Sequence, residues 1–250
     1  SIHSEFRMTT KLASLVQDRW VEGEGDGKIL ASAVSGEPVA SITSDGIDFG
    51  EVIRYARQVG GTNLRKMTFH ERGDMLKALA KYLMEHKKEF YGLSTETGAT
   101  RGDSWIDIDG GISTLFVFSS KARREMPNDH VYLDGPPEQL SRNGTFLGQH
   151  IYTPKLGAAV HINAYNFPCW GMLEKLAPTL AAGVPAIVKP ASSTAYLTEL
   201  MVRRIQASGI LPEGALQLIC GGVGDLFDHL NCQDTIAFTG SKNTAEFLQA

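Results

Sequence analysis

Apolar and polar positions follow two different patterns along the chain, and the pattern changes near residue 156. Short apolar runs broken by Gly and Ser at 12–42 predict a surface β-meander, after which helical spacing begins. From residue 156 onward, short apolar runs alternate with amphipathic stretches, which is typical of βαβ units around a parallel sheet. The chain is therefore expected to have an α/β fold whose sheet comes from its second half.

The first half of the chain carries several predicted helices. A weak amphipathic helix at 48–59 is expected to end at the segment 60–63, which begins with a glycine pair. A stronger helix begins at Thr68, which has capping-box spacing to Glu71, and its pattern continues to Gly98. Its inward face consists of apolar residues at three- and four-residue spacing, namely Met75, Leu79, Tyr82 and Leu83.

A further helix is predicted at 103–124, and its acidic residues admit two interpretations. Asp103, Asp107 and Asp109 could hold a metal ion, or they could be first-turn acids that complement the positive end of the helix dipole. We favour the second interpretation and predict no metal site.

The segment between the two halves lacks helical spacing. Residues 127–141 are polar and contain Gly and Pro, so a loop is predicted there. Residues 144–153 alternate in strand fashion with no helix to cover them, which predicts a protruding β-ribbon that docks on another surface.

The second half is predicted to alternate between strands and helices. Strands are expected at 158–162, 186–188, 215–220 and 235–238, and helices at 174–182, 195–208, 225–230 and from 243 onward. Ligands of parallel sheets bind outside the carboxyl ends of the strands, so candidate site residues are expected there.

Composition and charge exclude several classes of function. The 250 residues carry a net charge of −4, so no basic surplus is present to neutralise nucleic acid phosphates, and no nucleic acid partner is predicted. No apolar stretch approaches the roughly 20 residues of a membrane-spanning helix. The N-terminus carries charges from Glu5 onward and has no apolar core segment, so no secretory signal is predicted, and Met8 is a plausible native start. Three cysteines without metal-ligand spacing favour free thiols in a reducing, cytoplasmic setting.

Three predicted strand ends carry residues suited to chemistry. Asn166 lies in a turn bounded by Pro168, where its side-chain amide could donate a hydrogen bond to a developing oxyanion. Lys189 ends the second strand, where a cation can meet a ribose hydroxyl or a phosphate. Residues 239–241 precede a helix, whose first amides can bind a pyrophosphate. Each of these features alone is more often structural, and their occurrence together in this order carries the argument.

Four motifs in this order resemble the aldehyde dehydrogenase superfamily: Asn166-Phe167-Pro168, Lys189-Pro190-Ala191, Leu211-Pro212-Glu213-Gly214-Ala215 and Phe238-Thr239-Gly240-Ser241. The resemblance covers essentially the whole chain. It implies an aldehyde-dehydrogenase-like α/β fold, a Rossmann-type parallel sheet at 156–250, an N-terminal helical part at 8–143 and a ribbon at 144–155. In this family the ribbon pairs subunits, so a homo-oligomer is expected of the full-length protein, and the chain is expected to be a truncated piece of it.

The resemblance also implies residue roles. Asn166 would donate a hydrogen bond to the oxyanion. Lys175 matches a lysine near the active site that is associated with proton relay in this family. Trp170 and Gly171 would line the substrate tunnel, which Gly171 widens because relatives carry a bulkier residue there. The cofactor would contact Tyr165, Lys189, Ser192, Gly221, Phe238, Thr239, Gly240 and Ser241.

Two departures from the family pattern affect cofactor binding. Relatives that prefer NAD commonly carry Glu where this chain has Ser192, and loss of that carboxylate removes repulsion of a 2′-phosphate. We therefore expect NADP as cofactor, with NAD as the alternative. The pyrophosphate turn usually reaches a second Gly where this chain has Ala245.

The family mechanism uses a cysteine nucleophile and a glutamate base that lie beyond residue 250, so the piece alone is predicted to be inactive. Cys169 is expected to be a small buried thiol, and Cys220 and Cys232 to be core or near-surface residues. The turn at 163–171 looks most like the branch that contains the dehydrogenase half of the bifunctional phenylacetate-degradation enzyme, which oxidises a ring-opened CoA semialdehyde. The alternatives are the semialdehyde dehydrogenase of the benzoyl-CoA epoxidation pathway, a non-catalytic nucleotide-binding or subunit-pairing module, and a structural protein without a ligand.

Overall fold

The computed structural model describes residues 10–249, and the native start expected at Met8 lies outside them. The strands of the described residues are β1 (Thr10–Lys11), β2 (Ala13–Val16), β3 (Arg19–Glu22), β4 (Lys28–Ala31), β5 (Pro38–Ile42), β6 (Tyr132–Gln139), β7 (Leu147–Tyr152), β8 (Ala159–Ile162), β9 (Ala186–Lys189), β10 (Leu216–Leu218) and β11 (Thr235–Phe238). Their α-helices are α1 (Phe49–Tyr55), α2 (Thr62–Arg65), α3 (Phe69–Ser94), α4 (Arg101–Trp105), α5 (Gly111–Arg124), α6 (Pro168–Ala181), α7 (Ala195–Ser208) and α8 (Lys242–Gln249).

Four parallel strands form the centre of the main sheet, as the sequence predicts. The full order is β11-β8-β9-β10-β2-β3, and β8 pairs in parallel with both β9 and β11. The chain therefore moves from β8 outward to β9 and β10, and then returns to the other side of β8. This is the doubly wound order, and the α/β fold with its Rossmann-type sheet is confirmed.

The N-terminal strands do not form one surface meander. β2 and β3 extend the main sheet as antiparallel strands, with Leu15 opposite Leu218 of β10. β1, β5 and β4 form a separate three-stranded sheet. The meander interpretation is wrong for β2, because β2 is a strand of the main sheet and its residues Ala13, Ser14 and Leu15 are buried.

The helix predicted at 48–59 continues past its expected end. A π-helical segment, Ala56–Gly61, joins α1 to α2, so the glycine pair is not a helix stop. A Cβ on Gly60 would lie 2.0 Å from the carbonyl oxygen of Gly214. Gly60 is therefore required for close backbone approach to the loop before β10, and the local pattern cannot show this.

The helix predicted at 103–124 also contains a π-helical segment. α4, the segment Ile106–Gly110 and α5 follow each other without interruption from Arg101 to Arg124. Asp103 is a first-turn acid as predicted, because it forms a capping box with Thr100. The dipole interpretation is wrong for Asp107 and Asp109, which lie beyond the first turn and are buried.

Two further boundaries differ from the predictions. The segment 127–141 is not all loop, because β6 pairs with β7 and makes the ribbon two-stranded from Tyr132 onward. Both strands are largely exposed, so burial imposes no apolar pattern on β6 that the sequence could reveal. α6 starts at Pro168, six residues before the predicted position, because Pro is well suited to the first helical position.

Other predicted elements are confirmed. Thr68 and Glu71 form the capping box at the start of α3, and α7 has the predicted bounds. α3, α5, α6 and α7 pack together around one apolar core, which positions α6 against the carboxyl end of β8. No helix within residues 10–249 is long and apolar enough to span a membrane.

Candidate active site

The carboxyl ends of three neighbouring strands are in register. Ile162 of β8 pairs with Phe238 of β11 on one side and with Lys189 of β9 on the other. The strand order reverses between β8 and β11, and doubly wound proteins bind their ligands in the crevice at this position. The candidate site residues that follow these strands are therefore brought to one edge of the sheet.

A cavity of about 380 Å³ lies at this reversal point. Its walls come from the loop after β8, the start of α6, the π-helical segment after α4 and the turn after β11. The lining residues are Ile106, Ala164, Asn166, Phe167, Trp170, Gly171, Glu174 and Thr239. The structure thus places four of the sequence-predicted residues, Asn166, Trp170, Gly171 and Thr239, around one space.

The turn that carries Asn166 is held from two directions. Thr194 Oγ1 donates a hydrogen bond of 2.9 Å to the carbonyl oxygen of Tyr165. Pro168 begins α6 two residues later, and Thr198 Oγ1 donates to its carbonyl oxygen at 3.3 Å. Asn166 itself is exposed toward the cavity, so its amide is available to a ligand, while the Tyr165 side chain is 65% exposed at the surface.

Gly171 contributes space to the cavity wall. A Cβ at this position would lie 3.8 Å from the nearest side-chain atom of Asn163, which is ordinary van der Waals contact. The backbone therefore does not require glycine here, and the absence of a side chain leaves room for a ligand.

Lys175 lies just behind this wall in a short polar network. Its Nζ donates to the carbonyl oxygen of Gly171 at 3.2 Å and to Glu174 Oε1 at 3.3 Å. The other carboxylate oxygen of Glu174 accepts a 2.8 Å hydrogen bond from Trp170 Nε1. Sequence reasoning missed Glu174, a charged residue of the cavity wall, because an acid on an amphipathic helix is usually a solvated residue.

His161 and Asn163 are buried polar residues at the carboxyl end of β8. His161 Nε2 lies 3.0 Å from Thr179 Oγ1, and burial, with a smaller effect of the Lys175 charge, lowers the pKa of His161 to about 4. The imidazole is therefore neutral at pH 7. The side-chain amide of Asn163 has no hydrogen-bond partner within the described residues.

Asp107 fixes the start of α6 from the neighbouring π-helical segment. Its Oδ1 accepts hydrogen bonds from the backbone N–H groups of Cys169 at 3.0 Å and Trp170 at 2.8 Å. Burial raises the pKa of Asp107 to about 6, although these two donors favour the charged form. The first free amides of α6 are thereby satisfied by a side chain 62 or more residues away in sequence. No sequence signal in either segment alone identifies this contact.

The carboxylate of Asp109 has a separate role. Lys87 Nζ donates to it at 2.7 Å, and the hydroxyl of Tyr91 donates to its other oxygen. These contacts attach the π-helical segment to α3. Within residues 10–249, no group of three or more His, Cys, Asp or Glu side chains is arranged to hold a metal ion.

Lys189, Ser192 and Gly221 lie along the adjacent strand ends and outside the cavity. Lys189 is half-buried, its Nζ donates to the carbonyl oxygen of Pro190 at 2.8 Å, and burial lowers its pKa. Ser192 begins the short 3₁₀ helix Ser192–Thr194. Gly221 has a φ of 138°, and a Cβ there would lie 2.4 Å from the backbone nitrogen of Ser44. The backbone therefore requires glycine at this position, whether or not a cofactor binds beside it.

The turn after β11 is open to solvent. A Cβ on Gly240 would lie 2.5 Å from the ring of Phe238, so the glycine lets that ring fold back over the turn. Ser241 Oγ accepts a hydrogen bond from the backbone N–H of Thr244 at 3.4 Å at the start of α8. Thr239, Gly240 and Ser241 are all exposed, so the turn that leads to the first residues of α8 is accessible to an anion.

The cysteines of the described chain do not supply a nucleophile to this cavity. Cys169 is fully buried, and burial raises its thiol pKa well above the usual value. Burial also raises the thiol pKa of Cys220, and Cys232 is exposed in the segment before β11. A thiol that stays protonated is a poor nucleophile, so the interpretation of Cys169 as a buried structural thiol is confirmed.

Comparison with known sequences identifies a family and close relatives. The sequence profile of the aldehyde dehydrogenase family matches residues 20–250. The chain is 42% identical over 236 residues to the 3,4-dehydroadipyl-CoA semialdehyde dehydrogenase of Aromatoleum evansii, covering 94% of this chain and 46% of the relative. It is 28% identical over 251 residues to the mitochondrial succinate-semialdehyde dehydrogenase of Oryza sativa subsp. japonica, covering 94% and 44%.

Solved structures share the fold. The NADP-dependent glyceraldehyde-3-phosphate dehydrogenase from Bacillus halodurans C-125, complexed with NADP, matches with a TM-score of 0.81 at 22% identity, over 96% of this chain and 50% of that chain. The NAD-dependent benzaldehyde dehydrogenase from Corynebacterium glutamicum matches with a TM-score of 0.77 at 22% identity, over 95% and 51%. The chain spans about half the length of the relatives it matches. The family profile and the sequence identity together show that this chain belongs to the aldehyde dehydrogenase family.

Proposed function

We propose that the full-length protein oxidises an aldehyde to a carboxylic acid with a nicotinamide nucleotide as hydride acceptor. One observation carries the proposal: the Asn166 amide and the Thr239 turn line the same cavity at the reversal point of the sheet. A reacting carbonyl and a dinucleotide can therefore meet there. The family membership of the chain supports the same reaction.

The proposed roles of the chain follow from this arrangement. The Asn166 amide would donate a hydrogen bond to the oxyanion that forms when a cysteine thiolate, supplied from outside residues 1–250, attacks the aldehyde. The fixed start of α6 keeps that donor in position before the reaction. Lys175 is held by Glu174 behind the cavity wall, which places an ammonium group near the site without exposing it fully.

The cofactor turns fit a dinucleotide. The exposed start of α8 offers free amides to a pyrophosphate, and Lys189 lies two strands away, in register with Phe238 through β8. A bound nicotinamide nucleotide would accept the hydride. We further propose NADP as the preferred form, because Ser192 provides a hydroxyl where a carboxylate would repel a 2′-phosphate.

The proposed substrate is a semialdehyde linked to CoA. The relative from Aromatoleum evansii is named for such a substrate, and the open position at Gly171 leaves room for a long acyl chain. We propose a place in aromatic ring degradation of the phenylacetate type, and the exposed ribbon of β6 and β7 as a subunit-pairing element of a cytoplasmic homo-oligomer.

The test uses the full-length protein. Dissociation constants for NADP and NAD are measured first, and hydride transfer is then followed with a CoA-linked semialdehyde. Tight NADP binding with turnover supports the proposal, and tighter binding of NAD would overturn the NADP preference. Nucleotide binding without turnover of CoA-linked or CoA-free aldehydes would favour a non-catalytic binding module instead.

A further inference from the structure

A second and larger cavity lies beside the candidate active site. Its volume is about 940 Å³, and it opens between the last turns of α3 and the start of α4. The residues that give it chemical character are Lys87, Lys88, Tyr91, Arg101 and Trp105. None of these residues has a role in the aldehyde chemistry described above.

The cavity carries unpaired positive charge. Asp109 neutralises Lys87 through a 2.7 Å ion pair and also accepts the hydroxyl hydrogen bond of Tyr91. Lys88 and Arg101 are exposed, and within residues 10–249 neither has a carboxylate oxygen within 4 Å. The nearby Asp103 is occupied by the capping box with Thr100. Two cations therefore remain free for an anionic ligand.

An aromatic surface lies next to these cations. The side chain of Trp105 is 62% exposed, which is unusual for the largest apolar residue of a soluble protein. An indole that lines the same cavity as an Arg and a Lys is suited to stack on a nucleobase while the cations bind its phosphates. An aromatic ring together with two cations selects for a nucleotide, whereas two cations alone would accept any anion.

Two consecutive residues line the two cavities. Trp105 lines the basic cavity, and Ile106, whose Cα is about 3.8 Å away along the chain, lines the cavity of Asn166. Trp170, which lines the Asn166 cavity, contacts the same helical segment, because a Cβ on Gly110 would lie 3.0 Å from its ring. One long ligand could thus have its reactive end beside Asn166 and its anionic end beside Arg101.

We propose that the basic cavity binds the phosphorylated adenosine diphosphate end of a CoA thioester. In this arrangement the adenine stacks on Trp105, and Lys88 and Arg101 bind the phosphates. The flexible arm of CoA then runs past Ile106 and brings the acyl chain to the Asn166 cavity. The position of the acyl chain rests on the proposed aldehyde oxidation, whereas nucleotide binding by Lys88, Arg101 and Trp105 does not.

Calorimetric titration of CoA into the full-length protein tests the site directly. Saturating NADP is present, so that CoA cannot bind in the cofactor turns. The variants are Lys88→Gln, Arg101→Gln and Trp105→Ala, and the matched control is Lys81→Gln, which removes an exposed charge from α3 outside the cavity. We expect each cavity variant to raise the Kd about tenfold, as loss of a charged hydrogen bond or a stacked ring would do, and the control to bind as wild type does.

Two results would overturn the proposal. One is CoA binding that disappears when NADP is saturating, since CoA would then occupy only the cofactor turns. The other is a Kd that stays within twofold of wild type in the Lys88 and Arg101 variants. Thermal melting of each variant verifies that the fold is intact.

Kinetics separate this proposal from the proposed function. For each variant, kcat/KM is measured with a CoA-linked semialdehyde and with a CoA-free aldehyde, and the ratio of the two is compared. We expect the ratio to fall about tenfold in the cavity variants through KM, and to stay constant in Lys81→Gln. CoA binding without oxidation of either aldehyde would contradict the proposed function alone. Oxidation with an unchanged ratio would contradict the CoA site alone.

Discussion

The Oδ1 atom of Asp107 lies 2.8 Å from the backbone nitrogen of Trp170, so a carboxylate from one helical segment closes the first turn of another. The same oxygen accepts the N–H of Cys169, and this contact is buried, whereas the contact to Trp170 is partly buried. The oxyanion candidate Asn166 immediately precedes this turn. The position of the proposed donor therefore depends on a residue that does not touch the cavity.

Replacing Asp107 should separate hydrogen bonding from charge. Asp107→Ala leaves the backbone N–H groups of Cys169 and Trp170 without this partner, and we expect the free energy of unfolding to fall by about 2–4 kcal/mol. Asp107→Asn retains an acceptor oxygen and should lose less than half of that. Urea unfolding of the full-length protein measures both. Equal losses in the two variants would contradict a hydrogen-bonding role.

The pH dependence of stability should also report on Asp107. Its pKa is raised from the ordinary 3.8 to about 6, so the folded protein binds this proton more tightly than the unfolded chain does. The contribution of Asp107 to stability is therefore greatest at low pH and is lost as the pH rises from about 4 to about 6. The difference in unfolding free energy between wild type and Asp107→Asn, measured across that interval, should follow this slope. A difference in unfolding free energy that does not change with pH would show that the pKa of the Asp107 carboxyl is not raised in the folded protein.

His161 should give the opposite slope. Burial lowers its pKa from 6.5 to about 4, so the unfolded chain binds the proton more tightly. Stability is then fully present above pH 6.5 and is lost as the pH falls toward 4. His161→Gln removes this titration, and its melting temperature should change less than that of wild type between pH 7 and pH 5. An equal change in melting temperature between pH 7 and pH 5 for wild type and His161→Gln would refute this prediction.

Two glycines in helical segments should respond oppositely to alanine. A Cβ on Gly60 would meet the backbone of Gly214, and Gly60→Ala should destabilise the protein by about 2 kcal/mol or more. Gly92 of α3 has nothing within 4 Å of its position, so Gly92→Ala should stabilise by about 0.5–1 kcal/mol through helix propensity. Denaturant unfolding of the two variants is the measurement. If Gly60→Ala stabilised the protein as Gly92→Ala is expected to do, the result would contradict the close approach of Gly60 to Gly214.

Ser192 should control the choice of nucleotide. Ser192→Glu places a carboxylate where a ribose 2′-phosphate is expected, and we expect the Kd ratio of NADP to NAD to rise about tenfold or more. The matched control is Ser193→Glu, which adds the same charge at the exposed neighbouring residue. Isothermal titration of both nucleotides reports the ratio. A similar shift in the control would indicate a general charge effect instead of a specific contact.

Much of the fold is predictable because it depends on local patterns. β11 and α7 are found at the predicted residues, and the capping box of Thr68 depends only on two side chains three residues apart. The parallel pairing of the four central strands follows from the alternation of strands and helices. The candidate residues Asn166 and Thr239 meet at one cavity because each lies in the loop that follows a parallel strand.

The remaining features depend on contacts between distant segments. The local sequence predicts a helix end at Gly60, although glycine is required there because the backbone of Gly214 lies so close. The local pattern indicates a helix-dipole acid at Asp107, whereas its π-helical segment lies against α6, whose first residues give it two hydrogen bonds. The helical pattern predicts a solvated acid at Glu174, whereas its carboxylate accepts hydrogen bonds from Trp170 and Lys175. Spacing along the chain does not contain this information.

The in-register ends of β8, β9 and β11 restrict how the length of the chain can change. A one-residue insertion within β8 would turn every later side chain of that strand to the opposite face of the sheet. Ile162 would then no longer align with Lys189 and Phe238, and the loops that follow would be displaced together. Gains and losses of residues among natural variants should therefore accumulate at the ribbon tip between β6 and β7, while the length of β8 stays fixed.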